Sequence, residues 1–128
     1  MKAMKAKTRI LVVDDTESVL VSIATILDDG CYDVVTASDG KEAWELLNRG
    51  EKFDIIISDY NMPEMNGIGL LLNIRNDPRP IAQTPFILMS GGGQEELEEM
   101  CVKYDACFLS KPFSVNGLVA LLSDAGSS

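Results

Sequence analysis

Five side chains in this sequence are of types that could do chemistry together: Asp14, Asp15, Asp59, Ser90 and Lys111. Each closes or follows a short apolar run. Asp14 and Asp15 end Ile10-Leu11-Val12-Val13, and Asp59 ends Ile55-Ile56-Ile57-Ser58. Ser90 ends Phe86-Ile87-Leu88-Met89, and Lys111 follows Cys107-Phe108-Leu109-Ser110. Taken singly, each has a plain explanation. An isolated acidic pair between strand and helix is a helix cap about half the time, an Asp or Ser opens a turn, and a Lys before Pro is usually solvated. Taken together they describe something narrower. Three carboxylates on one rim repel one another unless a cation lies among them. A hard divalent ion with oxygen ligands is the natural solution, and Mg²⁺ keeps several waters while taking one or two carboxylates. Lys111 would add a fixed positive charge to clamp a phosphoryl oxygen. The Ser90 hydroxyl and the N–H groups of Gly91 and Gly92 could hold others. The set suits phosphoryl transfer to a carboxylate, with an Asp as nucleophile.

The apolar runs are too short for helices and read as buried parallel strands that deliver these residues to one edge of a sheet. Strands are predicted over 9–13, 33–36, 55–59, about 85–89, and 106–109. Helical spacing fills the intervals. Val19, Leu20, Ile23, Ile26 and Leu27 form the first apolar face, and Ala43, Trp44, Leu46 and Leu47 the second, behind a capping box at Asp39-Gly40-Lys41-Glu42. Trp44 is read as a packing residue. Ile68, Leu71, Leu72 and Ile74 make the third face, ended by Asn76-Asp77-Pro78-Arg79-Pro80, because Pro fixes φ and removes a donor. Leu97, Met100, Cys101 and Tyr104 make the fourth, and Val115, Leu118, Leu121 and Leu122 the fifth. Glu95 and Glu96 complement the dipole of the fourth helix in its first turn. Five strands alternating with five helices predict an α/β fold, a doubly wound parallel sheet whose ligands sit beyond the carboxyl ends of the strands.

Composition narrows the partners. A chain of 128 residues makes one domain with a proper core. With 11 Lys and Arg against 20 Asp and Glu the net charge is −9, which argues against nucleic acid and suits cations or basic partners. Cys31, Cys101 and Cys107 are odd in number and lack a CxxC pair, so reduced thiols in a cytoplasmic protein are expected; with no His and no clustered Cys, the sequence argues against zinc. No apolar stretch reaches membrane-spanning length, and the basic start at Met1–Lys7 lacks a signal-type apolar region. Residues 1–8 are expected to be a flexible tail.

At this point the chain resembles the receiver domain of two-component response regulators, of the single-domain chemotaxis type. The resemblance runs from Ile10 to about Leu122 and rests on four motifs: Val12-Val13-Asp14-Asp15; Asp59-Tyr60-Asn61-Met62-Pro63-Glu64-Met65-Asn66-Gly67; Met89-Ser90-Gly91; and Phe108-Leu109-Ser110-Lys111-Pro112-Phe113. It implies a flavodoxin-like (βα)5 fold with strand order 2-1-3-4-5, a receiver domain over 9–125 and no output domain. It implies that Asp59 is the phosphoacceptor, and that Asp15, Asp59 and the backbone carbonyl of Asn61 ligate Mg²⁺, with Asp14 acting through bound water. Lys111 would pair with Asp59 or its phosphoryl group, Ser90 would be the hydroxyl switch and Phe108 the aromatic switch. The Lys111–Pro112 bond is expected to be cis. Ser90 stands where Thr is common, Phe108 where Tyr is common, and Asn66 where Asp is common. Asn61 and Gly92 occupy positions that tune phosphoryl lifetime in the family, and Gly91-Gly92-Gly93 is expected to make the loop after the fourth strand mobile.

The function expected is that of a stand-alone receiver, a monomer or weak dimer. A histidine kinase or histidine phosphotransfer protein donates to Asp59, and a shift in the face of the fourth helix, fifth strand and fifth helix changes binding of a downstream protein. It is expected to catalyse only its own phosphorylation and dephosphorylation. Two other readings stay open. A Mg²⁺-dependent phosphohydrolase with an Asp nucleophile would turn over external phosphate esters, although the sequence lacks a DxD motif and a substrate lid. An interaction module with a vestigial acidic pocket would not be phosphorylated at all.

Overall fold

The computed structural model describes residues 7–92 and 95–126. Residues 1–6 of the expected tail and Gly93 of the glycine run lie outside them. Strands β1 (Thr8–Val13), β2 (Tyr32–Ala37), β3 (Ile55–Asp59), β4 (Phe86–Ser90) and β5 (Cys107–Ser110) alternate with helices α1 (Glu17–Ile26), α2 (Gly40–Asn48), α3 (Gly67–Arg75), α4 (Glu95–Lys103) and α5 (Val115–Gly126). A 3-10 turn, Pro80–Gln83, precedes β4. The strands form one parallel sheet in the order β2-β1-β3-β4-β5, as expected.

Successive side chains of a strand point to opposite faces, so continuous apolar runs feed two cores at once. Leu11, Val13, Ile56, Phe86 and Leu88 join Ala43 and Leu47 of α2, Leu70, Leu71 and Ile74 of α3, and Leu97 and Cys101 of α4. Ile10, Val12, Ile55, Ile57, Ile87 and Met89 join Ile23 of α1, Leu27 at its C-terminal end, and Leu118, Leu122 and Ala125 of α5. Each fully buried Leu or Ile stabilises the fold by about 1.5–3 kcal/mol, which makes β1, β3 and β4 the rigid floor of the molecule.

Local signals in the sequence explain the helix ends. Asp39 caps α2 by accepting from the N–H of Glu42 at 2.8 Å, and Glu42 Oε1 accepts in return from the N–H of Ser38, one residue ahead of the usual partner. Asn66 caps α3 by accepting from the Gly69 N–H at 2.8 Å, the role an Asp would fill equally. Trp44 packs on the first core with the Arg79 guanidinium over its ring, in keeping with a packing role.

Three details depart from expectation. Thr8 belongs to β1 rather than to the tail: it pairs with Tyr32 and donates its N–H to Cys31 O, because β2 begins early enough to extend the ladder. In α3 the buried residue is Leu70, with Leu72 only half-buried, since the helix meets the sheet through Leu70, Leu71 and Ile74. Val115 is 53% exposed because it lies on the first turn of α5, before the stripe Leu118, Leu122, Ala125 that covers the sheet.

Candidate phosphoacceptor site

Register brings the five residues to one rim. Val13 lies level with Ser58, Asp59 with Met89, and Ser90 with Ser110. Asp14 and Asp15 therefore leave β1 beside Asp59, and Lys111 follows directly on β5. Asp14 is fully buried, Asp59 is 7% exposed, and Asp15 is exposed. Each of the three offers a carboxylate oxygen within 4.8 Å of the others.

Lys111 ties the two buried carboxylates together. Its Nζ lies 3.0 Å from Asp14 Oδ2 and 2.9 Å from Asp59 Oδ1. Burial pushes the Asp59 carboxyl above its ordinary pKa, Lys111 pulls it back, and the charges of Asp14 and Asp15 push it up again. Burial would lower the Lys111 ammonium, yet its bonds to Asp59 and Asp14 carry it above the ordinary lysine value. A buried charge cluster of this kind persists only when its members are paired.

The backbone around each group is fixed. Asp14 Oδ1 accepts from the N–H of Thr16, the N-cap of α1, and the Asp14 N–H donates to Ala37 O. Lys111 N–H donates to Ser90 O at 2.8 Å, and the Lys111–Pro112 bond is cis, as expected. Ser90 is 5% exposed, and its Oγ accepts from Gly92 N–H at 3.4 Å. Ser58, fully buried, donates its hydroxyl to Asp59 O at 3.0 Å. Gly67 N–H donates to Tyr60 O, and a Cβ at Gly67 would collide with the Asp59 carbonyl oxygen and Leu88. Only glycine allows α3 to start this close to β3.

Asp14, Asp15, Asp59, Ser90 and Lys111 therefore meet at the rim, and Asn61 and Phe108 are placed differently. Asn61 stands exposed in the turn two residues past Asp59, and Phe108 is half-buried against the first core. A cleft of about 470 Å³ lined by Asp14, Asp15, Glu17, Thr36 and Ser38 opens beside the carboxylates. The donor set fits a hard divalent cation: three carboxylates share a space no wider than one ion with its ligands, and exposed Asp15 leaves room for water. Sequence reasoning missed the supports, namely Thr16, Ser58 and Gly67. A Gly following the cap residue Asn66 was the one visible signal among them.

Comparison with known proteins agrees with this geometry. Residues 10–123 match the family described as the response regulator receiver domain. The chain is 32% identical over 117 residues to a chemotaxis protein CheY homolog of Campylobacter jejuni, covering 91% of this chain and 90% of that one. It is 35% identical over 108 residues to chemotaxis protein CheY1 of Helicobacter pylori, covering 83% and 86%. Among solved structures, Vibrio cholerae chemotaxis protein CheY4 superposes with a TM-score of 0.84 at 31% identity, covering 94% of this chain and 99% of that one.

Proposed function

The chain belongs to the response regulator receiver family, signalling domains that accept a phosphoryl group on an Asp, and from that premise we propose that Asp59 is the acceptor, that the reaction depends on Mg²⁺, and that it resets a protein-binding face. The observation that carries the reading is the pair of ion contacts from one lysine, Lys111, to the buried carboxylates of Asp14 and Asp59 beneath exposed Asp15.

Asp59 supplies the nucleophilic oxygen. Lys111 holds Oδ1, which leaves the second oxygen to attack the phosphorus of a phosphohistidine on a histidine kinase or phosphotransfer protein. The new P–O bond forms as the P–N bond breaks, and the electron pair of that bond stays with the imidazole, which leaves neutral because its other ring nitrogen already carries a proton. The product is an acyl phosphate on Asp59, whose oxygens Lys111 and the Ser90 hydroxyl would bond. Asp15, Asp59 and the Asn61 carbonyl would hold Mg²⁺, with Asp14 acting through water, and the ion would neutralise phosphoryl charge there. Hydrolysis reverses the modification: water attacks the phosphorus, inorganic phosphate leaves, and the Asp59 carboxylate returns. The chain thus acts on itself and not on external substrates.

Ser90 ends β4 and Phe108 lies on β5, so a phosphoryl group that draws the Ser90 hydroxyl inward reshapes the α4–β5–α5 face that a downstream protein reads. The test is phosphoramidate, whose P–N bond stands in for phosphohistidine. Incubated with Mg²⁺, the chain should gain the mass of one phosphoryl group. Equal modification in excess chelator would remove the metal dependence, and no modification in either would remove the function.

A further inference from the structure

α3 starts at Gly67 against the Asp59 strand and ends far from it, at Arg75. There the guanidinium is half-buried and donates to four backbone carbonyls. Nε reaches Tyr104 O at 2.7 Å and Nη2 reaches Asp105 O at 2.9 Å. Nη1 is shared between Ala82 O at 3.0 Å and Thr84 O at 2.7 Å. Arginine has five N–H donors in a rigid plane and stays charged, so it can bracket several carbonyls that no shorter side chain would span.

The carbonyls belong to two segments that lead into β5 and β4. Tyr104 and Asp105 form the corner between α4 and β5; Ala82 and Thr84 form the approach to β4. The corner is also locked from within. Ala106 N–H donates to Cys101 O at 2.7 Å and Asp105 N–H to Val102 O at 3.3 Å, with Asp105 left-handed at φ +55°. This is the Schellman closure of a helix, with Asp where glycine is usual. At its other end α4 follows Ser90-Gly91-Gly92, where the backbone has the most freedom and Gly92 is held to Ser90 Oγ by a long 3.4 Å bond.

We propose that Arg75 is the fixed pivot of the switch, pinning the α4–β5 corner to α3 and to the approach of β4. The inference rests on Asp59 being the phosphoacceptor. Phosphorylation then rearranges Ser90 and the first turn of α4, while the corner, Arg75 and the β4 approach keep their arrangement. α4 tilts about its C-terminal end instead of sliding along the sheet. At 1.5 Å per residue its nine residues make a lever of roughly 13 Å, so each 5° of tilt moves the first turn by about 1 Å. A partner bound to the α4–β5–α5 face meets a changed upper half on an unchanged lower half. Arg75 touches neither phosphoryl group nor partner, and acts as a positioning residue.

The test follows amide hydrogen exchange residue by residue in the full chain, with and without acetyl phosphate and Mg²⁺, for wild type, Arg75→Met and Arg75→Lys. In the wild type, phosphorylation should change exchange by about fivefold or more at Ser90 and residues 95–98, and by less than about twofold at Thr84 and Ala106. In Arg75→Met, which keeps an apolar stem without donors, the phosphorylation-linked change should spread to Thr84 and Ala106 at about tenfold, with Arg75→Lys between. A residue that merely stabilised the fold would raise exchange there equally in both states, and that result overturns the proposal. Should Arg75→Met not fold, the wild type decides alone: equal phosphorylation-linked changes at Ala106 and in the first turn of α4 overturn it. Intact mass on the same samples separates the two questions, since absence of a phosphoryl group on wild type refutes the phosphoacceptor reading itself.

Discussion

Asp15→Ala should make the metal-free protein more stable and the Mg²⁺-loaded protein less so. Asp15 contributes a carboxylate within 4.8 Å of those of Asp14 and Asp59. At that separation each like-charge pair costs about 3.5 kcal/mol at an effective dielectric of 20 and about 0.9 kcal/mol in water. Asp15 is exposed, so the lower end applies, and the nearby Lys111 charge offsets part of it. Removing Asp15 should therefore stabilise the apo chain by about 1 kcal/mol, a rise in Tm of about 3–5 °C for a domain of this size. The assay is thermal unfolding of wild type and variant in chelator, at low salt and at 1 M salt, and again with saturating Mg²⁺. The gap in chelator should narrow at high salt as screening shortens from about 10 Å to 3 Å. With Mg²⁺ the order should invert, because the ion stabilises only the protein that binds it. A variant less stable than wild type in chelator would refute the repulsion argument, and equal Mg²⁺ stabilisation would refute the ligand assignment.

Gly67→Ala should cost about 1–3 kcal/mol, read from urea unfolding, because its Cβ must displace the Asp59 carbonyl or Leu88. Asp77 is held at about 2 by hydrogen bonds from the Arg79 side chain and N–H, below its ordinary 3.8. A depressed carboxyl stabilises above its unfolded pKa and ceases to as pH falls through its folded pKa, so the Tm deficit of Asp77→Asn should be full above about pH 5 and fade to nothing by about pH 1. Gly92→Tyr and Gly92→Glu should alter the decay of the phosphoryl group after donor removal without changing Mg²⁺ affinity, since a side chain there obstructs or orients the attacking water.

Strand ends were the most legible feature of the sequence. A strand buried on both faces is almost wholly apolar, so the first polar residue after Val13 and Met89 and the first charged residue after Ile57 and Leu109 mark the rim, even though Ser58 and Ser110 precede the last two. The parallel arrangement then gathers Asp14, Asp15, Asp59, Ser90 and Lys111 without further information. What could not be read was depth. Adjacent and identical, Asp14 and Asp15 differ completely: one is buried on Lys111 and the other faces water. Val115 shares the apolar spacing of Leu118 yet stays exposed, because periodicity identifies a face and not how far the sheet extends beneath it. Arg75 was silent for another reason. Its partners are carbonyls of residues 7 to 30 positions away, and backbone acceptors carry no sequence signature.

The most direct measurement is intact mass and peptide mapping of wild type and Asp59→Asn after acetyl phosphate and Mg²⁺. Asn keeps the shape of the side chain and loses the nucleophilic carboxylate. Wild type should gain one phosphoryl group, located on the peptide containing Asp59, and Asp59→Asn should gain none while keeping its cooperative unfolding. Stoichiometric modification of the variant, or mapping of the group to any other residue of the wild type, would contradict the account.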